Sequence, residues 1–403
     1  MASHPHVSGQ PVVLSLGMGA DSSAILLRWL TDPSSRNFDL SDLVVVTAQL
    51  GAEFERTYML VERHILPRLA EAGVRYIQAA RGGPRESDGV CILSDTTAPA
   101  TLVRRGPWTL ADELRSAGTV PMVASGRRLC THKHKGWVLD QVIADVVGDQ
   151  PFRHIIGFNA DEERRAERDQ NYTTDTRHAE YPLIEWGWGR ARLEAWLEHL
   201  VGEQWEKSCC GYCPFAACSG GRASHMARWA DEPERGVEAL LLEHTSLALN
   251  PRMALYGTAS AYDIAIDSSL GDVVAEFHRR LASTPHALYR VRRIWTAGRN
   301  PSTGRSDPQK KGVGWRSVET LAAGSRTAMA ATLAHRASAD GRRCVDDRHH
   351  SRLWIRTAGD CYPTAEEFLV VAPAGVETKQ RPGFNSLWQA VTTPQMPLFA
   401  AAS

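Results

Sequence analysis

Several things are missing from this 403-residue chain, and each absence removes a class of protein. No run of 18 apolar residues occurs anywhere, which argues against a membrane-spanning helix. The opening MASHPHVSGQPVV has no basic segment leading into a long apolar stretch, so no secretory leader is expected and a cytoplasmic location is. Cysteine is scarce, eight in all, too few for a disulfide scaffold. Net charge is also missing: 46 Lys and Arg balance 46 Asp and Glu, so overall charge names no partner. What remains is 43% hydrophobic and 23% charged, the composition of a globular protein with a real core, and the length suits two or three domains.

From about residue 10 to 220, short β-branched runs alternate with helical stretches. Val12 to Leu14 predicts a strand, Asp21 to Leu30 a helix with Ile25, Leu26, Trp29 and Leu30 at helical spacing, and Leu43 to Thr47 a second buried strand. Further strands are expected at Val74 to Ala79 and His154 to Gly157, with helices near Thr57 to Ala72 and Lys135 to Val147. This alternation predicts an α/β domain built on a doubly wound, mostly parallel sheet. After Gly220 and Gly221 the alternation fades. The expectation is a domain boundary near residue 220, residues 221–403 forming a mainly helical accessory domain, and a loop from Thr296 to Gly314.

The first chemical signal is the bend SLGMGADSS between the first strand and helix. Gly17 and Gly19 let backbone approach a ligand, and the following helix start offers N–H groups to an anion, joined by the hydroxyls of Ser15, Ser22 and Ser23. A structural turn is the plain alternative. No Lys stands where G-x-x-x-x-G-K-[ST] requires one, and Ser22 occupies the third glycine position of G-x-G-x-x-G, so neither common phosphate motif is present.

The bend resembles the PP-loop of the N-type ATP pyrophosphatases, in the branch similar to phosphoadenosine-phosphosulfate reductase, with Gly17, Met18 and Ala20 replacing the family's first Ser, first Gly and Lys. Four further segments resemble the family in order. They are AQLGAEFERTY (Ala48 to Tyr58, with Gln49 and Leu50 for Asp and Thr), GRRLCTHKHK (Gly126 to Lys135), IIGFNADEERR (Ile155 to Arg165) and YPLIEWGW (Tyr181 to Trp188). The resemblance covers residues 10 to 220. It implies an adenine nucleotide alpha hydrolase-like fold, ATP with Mg²⁺ as cofactor, cleavage of ATP to AMP and pyrophosphate, and Asp21, Ser22, Arg128 and Lys135 in catalysis. Ser15, Gly17, Gly19, Asp21, Ser22, Ser23, Gly51, Glu53, Gly157, Glu162 and Arg165 would bind the nucleotide. Arg128 suits a bidentate grip on phosphate and Lys135 a point charge, against the alternative of a solvated basic helix start. Glu162 and Arg165 sit in a charge run that also reads as an exposed face.

The second signal is SCCGYCPFAACSG, which holds Cys209, Cys210, Cys213 and Cys218. Cys210 and Cys213 have the C-x-x-C spacing with which one turn offers two thiolates to a metal centre; zinc and an iron–sulfur cluster both suit an all-cysteine site, and free buried thiols are the plain alternative. By resemblance to adenylylsulfate reductases and to DNA phosphorothioation proteins, Cys130, Cys210, Cys213 and Cys218 would hold a [4Fe–4S] cluster, with Cys209 as a substitute ligand. Cys344 and Cys361 read as inert.

The third signal is charge distribution. Residues 286–343 carry twelve Lys or Arg and three acids, a net of +9 that the rest of the chain offsets, and Trp295 and Trp315 interleave with the charges. That combination suits nucleic acid, and a solvated basic linker is its alternative.

Together these features imply an ATP-dependent sulfurtransferase component of nucleic-acid modification. It is most similar to the PP-loop subunit of DNA phosphorothioation systems (the Dnd and Ssp types), with DNA, a cysteine desulfurase and other modification proteins as partners. A phosphoadenosine-phosphosulfate or adenylylsulfate reductase, a tRNA thiolase and a noncatalytic nucleotide- or DNA-binding subunit stand as alternatives. Against reduction, the chain ends QMPLFAAAS and Cys361 lacks the Glu-Cys-Gly-like tail of the reductases.

Overall fold

The computed structural model describes residues 9–124, 127–217, 220–257 and 259–393. The chain divides into two compact units, residues 1–113 with 121–236, and Leu114–Val120 with Val237–Ser403.

The first unit is α/β. Its sheet contains β1 (Val12–Ser15), β2 (Leu43–Ala48), β3 (Arg75–Arg81), β4 (Val90–Thr96), β5 (Phe152–Ile155) and β6 (Arg177–Glu180), in the order β4-β3-β2-β1-β5-β6. All neighbours are parallel except β4, which runs antiparallel to β3. In β1, Val12, Val13 and Leu14 are fully buried, so the central strand reads as an apolar run rather than an alternation. Each such side chain contributes roughly 1.5–3 kcal/mol by leaving water. Helix α1 (Ala20–Thr31) buries Ile25, Leu26, Leu27 and Trp29 and stops before Pro33, where Asp32 turns out of the helix and accepts from Ser34 N. Arg28 lies over Trp186 and Trp188, its Cζ 4.1 and 4.7 Å from their ring centroids.

The helix expected over Thr57 to Ala72 is two helices, α2 (Glu55–His64) and α3 (Leu66–Glu71), broken at Ile65 ahead of Pro67. The edge strands β4 and β6 have no counterpart in the sequence pattern. Both expose much of their surface, so neither shows the apolar run that marks the central strands.

The division falls at Gly236, beyond Gly220 and Gly221, because the helix α4 (Arg222–Asp231) is bonded into the first unit. His225 and Trp229 both reach the Gly211 carbonyl, at 2.9 and 2.7 Å, and the Glu232 carboxylate accepts from the N–H groups of Glu55 and Arg56.

The second unit corrects the expectation of a mainly helical region. Helices α5 (Pro233–Leu249), α6 (Ala261–Asp267) and α7 (Gly271–Ser283) precede a six-stranded antiparallel sheet. Its strands are β7 (His286–Arg299), β8 (Ser306–Gly324), β9 (Val345–Asp346), β10 (Ser351–Arg356), β11 (Thr364–Pro373) and β12 (Lys379–Gln380), in the order β9-β10-β11-β7-β8-β12, with α8 (Arg326–Ala339) between β8 and β9. The interval read as a loop, Thr296 to Gly314, is mostly the outer end of the β7–β8 hairpin, where Arg299 pairs with Ser306 and Trp295 with Gly314. Alternating arginines disguise the strand: Tyr289 and Val291 are buried while Arg290 and Arg292, each one position further along, are half-buried.

The basic window is likewise partly internal. Arg290 pairs with Glu367 and Arg293 with Glu366, carboxylates of β11 outside the window, at 2.6 and 3.0 Å. Arg316 donates to the Ala117 and Gly118 carbonyls. Trp295 is only 6% exposed, beneath Arg293 and Lys311, which removes it as a stacking platform for bases. Arg299, Arg305, Lys310 and Lys311 remain exposed at the hairpin's outer end. Among the described residues, no helix is long and apolar enough to cross a membrane.

Candidate functional site

Sheet order reverses at β1, with β2 on one side and β5 on the other, and the crevice outside the carboxyl ends of strands at such a point is where open α/β sheets place ligands. A cleft of about 270 Å³ lies there. Ser15 and Ala48 end β1 and β2, Ile156 and Gly157 follow β5, and Gly17, Gly19, Asp21 and Ser22 bring the bend and the start of α1 to the same cleft.

The bend is organised around its own backbone. Met18 adopts φ +59°, the left-handed conformation that favours glycine, and its side chain is 2% exposed in the core. A non-glycine residue thus holds a glycine-like backbone at the centre of the bend. Ser22 Oγ accepts from Gly17 N at 3.1 Å, Trp205 Nε1 donates to the Met18 carbonyl at 3.2 Å, and Ser208 Oγ donates to the Gly17 carbonyl at 3.1 Å. Gly19 caps α1 without a side-chain bond, leaving the first N–H groups of a twelve-residue helix available to an anion. Gly157 packs against that helix start. A Cβ there would sit 2.8 Å from Ser22 N and 3.1 Å from Ser22 Cα.

Behind the bend, Arg177 Nε donates to His154 Nδ1 at 2.9 Å. The histidine proton therefore sits on Nε2 and is donated to Ser15 Oγ, also at 2.9 Å. Burial, reinforced by the Arg177 charge, pushes the His154 pKa down to about 3, so the ring stays neutral. With its oxygen already accepting, the Ser15 hydroxyl keeps its own proton for a cleft ligand.

Cations reach the cleft from two segments. Arg165 pairs with Glu162 and lies over Phe158 at 4.5 Å. Lys135 belongs to a turn of π-helix (His132–Gly136), a distortion frequent at functional sites. The bend itself carries no lysine, and Lys135 brings one to the same cleft. Its ammonium lies 3.3 Å from Glu53 Oε1. Burial opposes its charge, but Glu53 and the neighbouring Cys210 and Cys213 outweigh that and raise its pKa.

The other expected site residues lie apart from the cleft lining. Ser23 is fully buried with no hydrogen-bond partner for its hydroxyl among the described residues. Gly51, at φ +75°, packs on Thr109, and Arg128 stacks on Phe215 at 4.2 Å. Glu53 is fully buried, with Oε1 on Lys135 and Oε2 lacking a hydrogen bond among the described residues. Gln49 is buried and bonds Gln78 at 3.1 Å. Sequence reasoning missed His154, Asn159 and Arg190. The last two hold Asp21, at 2.7 and 2.8 Å, and Asn159 lies within the IIGFNADEERR segment, where its place three residues before Glu162 was the available signal.

Glu53 pairs across a β-bridge with Cys210. Cys130, Cys210 and Cys213 lie within electrostatic reach of one another. Burial, joined by Glu53, pushes the Cys210 thiol well up, and burial raises Cys213 as well. Cys209 instead faces Arg228 and His225, at 3.5 and 3.9 Å. Cys218 lies outside the described residues. Among those residues no three His, Cys, Asp or Glu side chains are gathered as an ion would require. Thiolates are the donor chemistry a thiophilic centre takes, and Cys130, Cys210 and Cys213 are near enough to influence one another's charge without converging on one point.

No family model, curated protein or solved structure matches this chain.

Proposed function

We propose that the first unit is an adenine nucleotide alpha hydrolase-like domain that binds ATP in the β1 cleft, cleaves it to AMP and pyrophosphate, and serves sulfur transfer in nucleic-acid modification, DNA phosphorothioation being the best fit. One observation carries this reading: Lys135 lines the cleft beside the helix start and also lies within electrostatic reach of Cys210 and Cys213, so one ammonium joins an anion cradle to a thiol group. A substrate oxygen would attack the α-phosphate and pyrophosphate would leave. AMP would then be displaced by a sulfur nucleophile. The α1 N–H groups, the Ser15 hydroxyl, Lys135 and Arg165 supply donors where negative charge develops on the phosphates, and Mg²⁺ would share that charge. Cys130, Cys210, Cys213 and Cys218 would hold a [4Fe–4S] cluster, whose chemistry when bound is relay of sulfur from a cysteine desulfurase.

The test incubates the full chain with ATP, Mg²⁺, duplex DNA and a sulfide donor and measures AMP and pyrophosphate. Stoichiometric release of both is expected. ATP binding without release would place the chain with the noncatalytic subunits, the reading favoured by Arg128 lying on Phe215 instead of in the cleft.

For nucleic acid, the exposed hairpin end is the surface to examine. Removing residues 286–343 would delete two central strands, so charge is better altered by substitution. Replacing Arg299, Arg305, Lys310 and Lys311 together with Gln is expected to flatten the salt dependence of DNA binding by about 0.9 in log K per log salt for each phosphate that is no longer neutralised. An unchanged slope would take the hairpin out of the interface.

A further inference from the structure

The second unit contains a cavity of about 260 Å³ that has no part in the reading above. Its floor is buried and ring-rich: His244 of α5 lies 5.8 Å from Phe277 of α7, centroid to centroid. Tyr262 of α6 forms a wall, 5.9 Å from Phe277 and 5.1 Å from His349, and its hydroxyl is 2.9 Å from His278 Nε2. Two guanidinium groups stand at the rim, both exposed: Arg326, the first residue of α8, and Arg348, ahead of β10. Arg348 pairs with Asp263. Among the described residues, no carboxylate pairs with Arg326.

The charge acting on His244 is one-sided. His350, Arg326, His349 and His286 all act against a positive charge on His244, which burial already holds neutral. The His350 ring lies tilted against that of His244, centroids 4.3 Å apart, and the residue is 6% exposed, yet neither of its ring nitrogens has a hydrogen-bond partner within 3.5 Å among the described residues; Asp347 Oδ1 lies 3.8 Å away. No three of these side chains converge as a metal would need among the described residues, so the histidines do not form a cage. What the cavity offers is flat apolar walls below and, above, one guanidinium, Arg326, that no carboxylate neutralises among the described residues.

We propose that this cavity is a binding site for a small ring-bearing anion, its ring against Tyr262 and Phe277 and its phosphate or carboxylate on Arg326 with His278 beside it. Arg supplies the planar fork that both anions accept. The aromatic walls reward a flat ring over a bare ion. This assignment is independent of what the first unit does.

The test is calorimetric titration of the full chain with phenyl phosphate, benzoate and inorganic phosphate. Phenyl phosphate or benzoate is expected to bind one to one, and the tighter of the two identifies the anionic group. Inorganic phosphate, which leaves the ring walls unfilled, is expected to bind at least about tenfold more weakly. Arg326→Gln, at an exposed position, is expected to weaken the ring-bearing probe by about tenfold or more, and Tyr262→Leu to weaken it also. Lys135→Gln, in the other cleft, is expected to leave the affinity for the ring-bearing probe as it is, whatever it does to ATP. Absence of binding by both ring-bearing probes at millimolar concentration would overturn the proposal. So would binding indifferent to Arg326→Gln, or binding lost in Lys135→Gln alone.

Discussion

Gly157→Val is expected to abolish ATP binding, with affinity falling by more than about a hundredfold, while the chain still folds. The reason is contact with backbone. A Cβ at this position would meet Ser22 N at 2.8 Å, Ser22 Cα at 3.1 Å and the Asp21 carbonyl carbon at 3.2 Å. No side chain can swing aside, so the segment after β5 must retreat from the start of α1. Overpacking of this kind costs about 1–3 kcal/mol, which a domain of this size tolerates. The larger loss is geometric. Gly157 and Ser22 both line the cleft, and widening their separation moves the helix N–H groups and the wall opposite them out of register with one phosphate chain. Affinity for ATP with Mg²⁺, measured beside the thermal midpoint, separates the two effects. A folded Gly157→Val protein that binds ATP as the parent does would remove this crevice from nucleotide recognition.

Acid is expected to destabilise both units well before the carboxylates titrate. Burial pushes His154 down to about 3 and His225 to about 4 in the first unit, and His244 to about 2 and His350 to about 3 in the second. Above the ordinary histidine pKa of about 6.5, neither folded nor unfolded chain holds these protons and the stability is fully present. As pH falls below 6.5 the unfolded chain takes them up and the folded chain does not, so stability drops until the folded pKa is reached. Each histidine contributes a slope of about 1.4 kcal/mol per pH unit, or roughly 3 kcal/mol per pH unit for the pair in each unit. The carboxylates held low, Glu113 and Glu203, both at about 2, add their loss only below about 4.5, so the loss from pH 6.5 to 5 comes from the histidines, opposed in part by Glu243 and Asp140, whose carboxyls burial raises. Thermal melts across that interval should fall steeply. Equal midpoints at pH 7 and pH 5 would mean that these rings are protonated in the fold.

How much of this could be read from residue order depends on the kind of signal. Val12 to Leu14 and Leu43 to Thr47 are unbroken apolar runs, legible because a strand covered on both faces has no polar side to interrupt it. The bend was legible because Gly17 and Gly19 stand between such a run and a helical pattern. The second unit's sheet was not. In β7 arginines alternate with apolar residues over positions 289–292, and charge masked the two-residue period; the carboxylates that pair with Arg290 and Arg293 lie on β11, some seventy residues further along. Net charge in a window is a local count, whereas neutralisation is a spatial one.

The candidate site divides along the same line. Local sequence determined the bend, the helix start and the Cys210–Cys213 turn, because each is made by neighbours in the chain. Only the tertiary structure decided that Lys135 stands where the bend has no lysine, that Arg177 fixes the His154 proton and so the Ser15 hydroxyl, and that Ser23 and Arg128 face elsewhere. Parallel strands meet through long crossovers, so what gathers at their carboxyl ends comes from segments a hundred or more residues apart. No spacing in the sequence encodes that meeting; the order of strands in the sheet does.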